Sequence, residues 1–444
     1  MTLCVRLAFG SLVVASGFLT VAHGCSSPNG ATSNSVQEAT IVDSGPIFEA
    51  NTSDAPHCVI PSKPAGVPDG WELYTDYDPC CLLYAPTAPQ YLPPPLHWTS
   101  CSSLWTGDGG VDGGVCKIID QAGAGSPEFG ASVHNGVVSL LTNELVGTVY
   151  AYVIAEADGP VHQAMMQVSG SCAPSPRDMR DGKYVYAMYN VDNFNGGGFL
   201  AGDVDEFRPS FVHHFNDAIT HGVVVGQLGV VDVDETDTLN LYAWDRTSKI
   251  VSSPQDVGLA KSFPVFASNA LFWSASAGPY NRVADYTEAS GANDLISFGA
   301  DSTHGADDFG SDGLNMVWLQ GVGHTGDPLG IAFDSAAVMT APFATNPANV
   351  VARRVRSEDP KGFGVSPIKV GCGYAVRSNG NYLRILRLAD GISWVLNNGP
   401  SWRWVNPLAV TCNEIFATVA TGGPQMTNIA RVQISSLGPG ISAD

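Results

Sequence analysis

Short apolar segments alternate with turn residues along most of the chain from about residue 130 onward. The segments are rich in Val, Ile, Tyr, Phe and Trp, and clusters of Gly, Asp, Asn and Pro separate them, as in β-strands joined by turns. Long amphipathic helical patterns are absent from the sequence, so the fold is predicted to be all-β. The predicted strands are Val137–Leu141, Thr148–Ile154, Tyr184–Tyr189, Thr238–Trp244, Ala270–Ser274, Leu314–Leu319, Gly373–Val376, Tyr382–Leu386 and Ile415–Val419.

Hairpin-type turns are predicted at two kinds of dipeptide, because Asp-Gly and Asn-Gly readily adopt the left-handed backbone that tight turns need. Asp-Gly stands at 158–159, 181–182, 312–313 and 390–391, and Asn-Gly at 135–136 and 379–380.

One pattern recurs along the apolar part of the chain. Copies begin at Pro264 and Pro407 and pass through a mixed strand to an apolar-aromatic pair, a third begins at Pro367, and weaker starts lie near residues 131, 181, 222 and 313. Successive starts are 50, 41, 42, 49, 54 and 40 residues apart, close to the ~40–50 residues of a propeller blade. Residues 127–440 are therefore predicted to form a β-propeller, most simply of seven blades, with six or eight as alternatives. A pair of β-sandwiches is the rival fold.

Two cysteines occupy the same place in neighbouring copies of this pattern. Cys372 and Cys412 each lie five residues after the proline that begins their copy. We therefore expect them on adjacent blades, close enough to form a disulfide.

This layout resembles predicted bacterial lipoproteins with a TolB- or WD40-like β-propeller, over roughly residues 130 to 435. The Trp-Asp pair at 244–245 occurs once, so a true WD40 repeat is not indicated. The run from Trp71 to Cys81 and the later Leu92–Trp98 also resemble uncharacterised lipoproteins of this kind. The resemblance implies the fold and an exported location, and it implies no activity.

The first 24 residues have the layout of a secretory signal peptide. One basic residue, Arg6, precedes an uncharged stretch that ends at Ala22, too short to be interpreted first as a membrane span. Cys25 follows a small residue, which resembles the lipobox of bacterial lipoproteins and implies lipid attachment at Cys25. Residues 25–56 are polar and poor in bulky apolar residues, as in a flexible tether. The predicted location is the outer membrane or cell surface. Ordinary signal cleavage, giving a soluble periplasmic or secreted protein, is the alternative.

Residues 57–126 hold many prolines and five of the eight cysteines that remain beyond Cys25. Prolines disfavour helices and central strands, so we expect an irregular, disulfide-rich segment lying against the propeller. In an exported chain, disulfides are favoured over a zinc site, particularly since the sequence has no CxxC pair. The disulfide candidates are Cys58, Cys80, Cys81, Cys101, Cys116, Cys172, Cys372 and Cys412.

The formal charge of −21, with only 21 basic residues, disfavours nucleic acid as a partner. The expected partners are the membrane, through the lipid, and an unknown protein or glycan ligand, with the protein itself a monomer. No catalytic residue and no cofactor is identified, since a G-x-S-x-G elbow and an H-E-x-x-H motif are both missing from the sequence.

Two acidic stretches are candidates for calcium at oxygen ligands. The first consists of Asp301, Asp307, Asp308 and Asp312, in a Gly-rich segment with His304. The other is Asp232, Asp234, Glu235 and Asp237. Solvated turns are the alternative interpretation of both. His213, His214, Asp217 and His221 form a histidine cluster that could ligate a transition metal or simply lie on a surface loop.

An aromatic group near the C-terminus is a candidate binding face. Trp402, Arg403 and Trp404 could stack on a sugar or contact a protein, although packing within the propeller would use the same residues. The sequence thus favours a tethered, non-catalytic binding or scaffolding propeller. The alternative is an extracytoplasmic propeller enzyme, such as a metal-assisted hydrolase or lyase acting on glycans or lactones.

Overall fold

The computed structural model describes part of the chain between residues 67 and 442, all of it within the compact unit Ile60–Asp444. The predicted signal peptide, Cys25 and the tether lie outside the described residues. The described residues are 67, 69–73, 81–87, 98–101, 116–119, 130–134, 136–146, 149–159, 161–170, 172–190, 197–206, 209–215, 222–233, 238–251, 260–277, 280–298, 304–323, 333–358, 368–378, 382–398, 402–421 and 427–442.

The described secondary structure is almost entirely β. Two short 3-10 turns lie at Pro347–Asn349 and Ile434–Ser436. The strands are β1 (Trp71–Leu73), β2 (Cys81–Pro86), β3 (Trp98–Ser100), β4 (Cys116–Ile119), β5 (Gly130–His134), β6 (Val137–Val146), β7 (Val149–Glu156), β8 (Val161–Gly170), β9 (Cys172–Arg180), β10 (Lys183–Asn190), β11 (Gly197–Asp203), β12 (Ser210–Phe215), β13 (Gly222–Gly226), β14 (Gly229–Val233), β15 (Leu239–Ala243), β16 (Ser248–Ile250), β17 (Ala260–Ala267), β18 (Ala270–Ala277), β19 (Tyr280–Thr287), β20 (Gly291–Ile296), β21 (His304–Ser311), β22 (Asn315–Val322), β23 (Ser335–Pro342), β24 (Arg353–Glu358), β25 (Lys369–Gly371), β26 (Tyr374–Ser378), β27 (Tyr382–Arg387), β28 (Ser393–Asn397), β29 (Trp402–Val410), β30 (Glu414–Thr421) and β31 (Thr427–Gln433).

The described strands pair antiparallel into seven sheets. The second to sixth sheets are four-stranded meanders, β9–β12, β13–β16, β17–β20, β21–β24 and β25–β28. The first sheet has the order β1-β2-β8-β7-β6-β5, and the seventh has the order β29-β30-β31-β4-β3.

The sheets are arranged in a closed ring. The first strands of successive meanders contact one another in the order β5, β9, β13, β17, β21, β25 and β29, and β29 returns to contact β5. We call these seven strands the inner strands. A ring of meander sheets closed in this way is a β-propeller, so the prediction of an all-β propeller is confirmed, and a pair of β-sandwiches would not produce such a ring.

Side chains buried between neighbouring sheets form the hydrophobic core. One cluster, for example, joins the fourth and fifth sheets through Phe272, Phe309 and Trp318. Each of the nine strands predicted from sequence overlaps an observed strand and extends at most one residue beyond it, and each is the second or third strand of its meander. These positions are covered on both faces, which explains their apolar sequences.

The N-terminal segment differs from expectation. It was predicted to be irregular, but β1 to β4 all come from it, with β2 paired to β8 and β4 paired to the C-terminal strand β31. The reason lies in β2, where Leu83 and Ala85 alternate and are buried in the core of the first two sheets. The prolines at 93–95 lie outside the described residues.

Arg431 stabilises the place where the ring closes. Its guanidinium donates to both carboxylate oxygens of Asp158, on the first sheet, at 2.5 and 2.7 Å, and to Glu414 at 2.6 Å. The ring of Trp98 lies beneath the same guanidinium, and its Nε1 donates to Ala157 O at 2.6 Å. The two carboxylates raise the pKa of Arg431 against the opposing effect of burial, so this cation holds the first and seventh sheets together.

A disulfide joins Cys372 to Cys412, as the sequence predicted, with the two Cα atoms 5.0 Å apart. Cys372 lies in the turn between β25 and β26 and Cys412 in the turn between β29 and β30, so the bond connects adjacent sheets. Cys101 is also disulfide-bonded. Cys81, Cys116 and Cys172 are strand residues whose side chains are not described, and Cys58 and Cys80 lie outside the described residues.

Candidate functional site

Two of the four acidic residues proposed to bind calcium have described side chains, and these two do not lie in one site. Asp308 is fully buried and its carboxylate lies 3.6 Å from the Arg377 guanidinium. Asp312 directly follows β21, and its Oδ1 accepts hydrogen bonds from the backbone amides of Leu314 and Asn315 at 2.9 and 2.7 Å. Asp301 and the side chain of Asp307 lie outside the description. Asp308 and Asp312 thus make separate contacts, one with an arginine and one with turn amides, and the calcium site stays a prediction.

The remaining metal candidates are also dispersed or undescribed. Asp232 is buried within β14, and the His213 ring stacks on Tyr242 at a centroid distance of 4.0 Å. Asp217, His221 and the acids at 234–237 lie outside the described residues, as does the His214 side chain. Among the described residues no group of three His, Cys, Asp or Glu side chains could hold a metal.

The aromatic binding face is corrected by burial. Trp404 is 0 % exposed and belongs to the core between the sixth and seventh sheets, where it packs with Ile385 and Ile415. Arg403 is half-buried, and the Trp402 side chain is not described. A side chain without exposed surface cannot stack on a ligand, so Trp404 is a packing residue.

A different group of side chains converges at one end of the inner strands. Arg180, the last residue of β9 in the second sheet, donates from Nη1 to Phe266 O on β17 in the fourth sheet at 2.9 Å. This hydrogen bond joins the second sheet to the fourth. The third sheet, which lies between them, is joined to the second because Val225 N donates to the Asp178 carboxylate at 3.2 Å. Arg180 Nε lies 4.0 Å from the same carboxylate. Three successive sheets are thereby tied together beside the axis of the ring.

The turn that follows β9 approaches the first sheet and makes a second contact with the third sheet. Asp181 and Gly182 have positive φ angles of 49° and 77°. A side chain at Gly182 would strike the ring of His134, in the first sheet, at 2.7 Å. Gln227, from the third sheet, donates to Asp181 O at 3.4 Å. The Asp-Gly turn predicted at 181–182 therefore packs against the first sheet on one side and the third sheet on the other.

Lys369, on β25 in the sixth sheet, completes this group. It interacts electrostatically with Arg180, Asp178 and Asp181, although the second and sixth sheets are not neighbours in the ring. These groups meet at the axis. We call Asp178, Arg180, Asp181 and Lys369 the axial cluster.

Burial shifts the pKa values of two members of the axial cluster. Burial, together with the nearby Arg180 guanidinium, lowers the pKa of Lys369 to about 8. Burial raises the pKa of Asp181, and the neighbouring Asp178 carboxylate adds to that shift. Groups with such pKa values change charge readily when a ligand arrives, which is common at functional sites.

A second charged group lies between the fifth and sixth sheets. Arg377 is surrounded by Asp308 at 3.6 Å and Glu358 at 3.9 Å, and Arg384 lies 3.4 Å from Glu358. Glu358, Arg377 and Arg384 border a small cavity whose other walls are Val317, Val338, Ile368, Ala375, Val376 and Leu386. The balanced charges and the enclosing core indicate a connection between sheets.

Sequence reasoning missed the axial cluster because its members look like isolated charges. One signal was available: Arg180 directly precedes the predicted turn at 181–182, and Lys369 lies two residues after the proline of its repeat. Both positions are on inner strands, which converge in any propeller.

No family model matches the chain, and no curated protein matches it. An oligogalacturonate lyase in complex with manganese is 10 % identical, with a TM-score of 0.49, over 78 % of this chain and 99 % of that one. Virginiamycin B lyase from Staphylococcus aureus is 12 % identical, with a TM-score of 0.46, over 72 % and 99 %. The β-propeller domain of the trilobed protease from Pyrococcus furiosus is 9 % identical, with a TM-score of 0.42, over 72 % and 98 %. At such similarity the function must be argued from the residues of this chain.

A membrane-spanning helix is not found in the part of the chain that the structure describes.

Proposed function

We propose that this protein is an exported lipoprotein, anchored through Cys25, whose β-propeller binds a saccharide at the axial cluster without catalysing a reaction. We further infer that each of the seven sheets is one blade. The observation that supports a binding site is the approach of Lys369, on the sixth sheet, to Asp178 and Arg180, on the second sheet, which is not its neighbour. Closely spaced donors and acceptors suit hydroxyl groups, which both donate and accept hydrogen bonds.

The anchor is tested by radiolabelled palmitate in cells that express the full chain. We expect label in the wild-type protein and its loss in Cys25→Ser, because only a cysteine thiol can take up the lipid. Cys4→Ser is the matched control, since Cys4 lies within the predicted signal and should not affect labelling. Unlabelled wild-type protein, or label that persists in Cys25→Ser, would contradict the lipoprotein proposal.

The binding role is tested by titrating the purified protein with neutral and acidic saccharides. Arg180→Gln should weaken binding, whereas Arg354→Gln, at an exposed position on β24, should not. The same samples are followed for cleavage products over a day. Turnover of any saccharide would favour the enzyme hypothesis over the binding one.

A further inference from the structure

The axial cluster contains two cations, Lys369 and Arg180, whose N–H donors are not all used by the described residues. Three lysines have described side chains, and two of them form ion pairs, Lys183 with Asp203 at 2.6 Å and Lys249 with Glu288 at 3.6 Å. Lys369 is half-buried, yet it forms no salt bridge or side-chain hydrogen bond with any described residue. Its three N–H donors are available at the axis.

Arg180 adds a further donor beside it. Its Nη1 is used by Phe266 O, but its buried Nε has no hydrogen-bond partner among the described residues. The Asp178 Oδ2 atom lies 4.0 Å from Nε and already accepts a hydrogen bond from Val225 N. A distance of 4.0 Å is too long for a hydrogen bond. The acceptor that would satisfy these cations must therefore come from outside the described chain.

We propose that Lys369 and Arg180 hold an anionic oxygen group, such as the carboxylate of an acidic saccharide. This inference rests on the proposed function, because it specifies the ligand of the same site. Charge-assisted hydrogen bonds from an ammonium and a guanidinium to an anionic oxygen are about twice as strong as neutral ones. A neutral saccharide would offer the two cations only the weaker hydrogen bonds of neutral oxygen atoms.

Binding of an anion is coupled to proton uptake. In the free protein the pKa of Lys369 is about 8, so near that pH about half of the molecules carry a neutral amine. A bound anion favours the ammonium and raises this pKa. Affinity is then highest below about pH 7 and falls by up to about tenfold per pH unit above the pKa of the free amine, until the raised pKa is reached.

The test uses full-length protein purified in detergent and three probes: glucuronate, glucose as its neutral counterpart, and inorganic sulfate as a free anion. Lysine labelled with ¹³C reports the titration of each side chain, and Lys369→Arg assigns the resonance. We expect glucuronate to raise the pKa of Lys369 by one unit or more, and glucose to leave it unchanged. Calorimetry near pH 8 in Tris and in HEPES should give an uptake of about half a proton.

Two variants separate a binding role from a general effect of charge. Lys369→Met should weaken glucuronate binding about tenfold, while Lys249→Met, at an exposed lysine paired with Glu288, should not. A response to sulfate but not to glucuronate would support the anionic-oxygen chemistry and identify a free anion as its source.

Two results would overturn the inference. One is an unshifted Lys369 resonance with both anions, and the other is unchanged glucuronate affinity in Lys369→Met. If glucose then binds, and Arg180→Gln weakens it, the proposed binding function still stands with a neutral ligand. Failure of the saccharides and of sulfate to bind would count against both proposals, and binding of sulfate alone would count only against the saccharide function.

Discussion

Asp285 and Asp308 are both fully buried between neighbouring sheets, yet they have very different surroundings. Asp308 lies between the fifth and sixth sheets, 3.6 Å from Arg377. Asp285 lies on β19 in the fourth sheet, opposite Phe272 and on the same face as Val283, which belong to the apolar cluster shared with the fifth sheet. Neither of its carboxylate oxygens has a hydrogen-bond partner among the described residues. One interface holds a buried charge by pairing it, and the other leaves a buried carboxyl unpaired.

The difference shows that burial alone does not decide whether a buried aspartate is charged. Removing an isolated carboxylate from water is costly, so such a group shifts its pKa and becomes neutral instead. Burial raises the pKa of Asp285 to about 7, opposed only by its own backbone N–H. A paired carboxylate instead stays charged because a nearby cation stabilises it. Arg377 serves Asp308 in this way and also contacts Glu358. Four substitutions test this comparison, in order of decreasing effect.

Removing the cation should have the largest effect. Arg377→Met leaves Asp308 and Glu358 buried without Arg377, which should reduce the free energy of unfolding by about 3–5 kcal/mol. Denaturant titration at pH 7 measures this. Arg354→Met, at an exposed arginine on β24 of the fifth sheet, is the control and should cost less than about 0.5 kcal/mol. A decrease in the free energy of unfolding of less than about 1 kcal/mol in Arg377→Met would show that Asp308 does not depend on a paired cation.

Asp285 should make the protein less stable as the pH rises. Its carboxyl has a pKa of about 7 in the folded protein against an ordinary value of 3.8, so the unfolded chain releases its proton first. This contribution to stability is complete below about pH 4, is lost progressively up to about pH 7, and totals about 4 kcal/mol. Asp285→Asn should remove that slope, as measured by urea unfolding at several pH values. A variant that keeps the wild-type slope would refute the assignment.

The same change at Asp308 should have the opposite result at pH 8. Asp308→Asn removes the counter-charge of Arg377 and should destabilise the protein by about 1–3 kcal/mol. Asp285→Asn, its matched control, should stabilise the protein at that pH, because the wild-type residue must then carry an unpaired charge. Unfolding curves of both variants at pH 8 give the comparison directly. Equal effects of the same sign would remove the distinction between the two sites.

The smallest effect is expected at the edge of the paired group. The Tyr382 hydroxyl lies 3.5 Å from Glu358 Oε1 and 3.5 Å from Arg384 Nη2, which is long for a hydrogen bond. Tyr382→Phe should therefore cost about 0.5 kcal/mol, within the range of a weak hydrogen bond. A loss comparable to that of Arg377→Met would place Tyr382 inside the buried network.

The middle strands could be predicted from sequence, whereas the inner strands could not. Segments such as Ala270–Ser274 are covered on both faces and have sequences of apolar residues. The inner strands β9 and β21 have the sequences CAPSPRDMR and HGADDFGS, whose prolines, glycines and charges are unfavourable for strands in isolation. They are strands because the neighbouring sheets and the second strand of each meander hold them. The residues of the axial cluster lie on or beside such strands, and for this reason the sequence did not indicate them.

The sequence by itself determined the alternation of strand and turn, the repeat and the Cys372–Cys412 disulfide, because these depend on local backbone preference and on the spacing of equivalent positions. Only the tertiary structure decided that β4 pairs with β31, that Arg180 reaches Phe266, and that Asp308 has a cation while Asp285 has none among the described residues. Each of these contacts joins residues that are far apart in the chain and brought together by ring closure. A carboxylate and its partner cation leave no pattern in the sequence, since their energy depends on distance and on the exclusion of water.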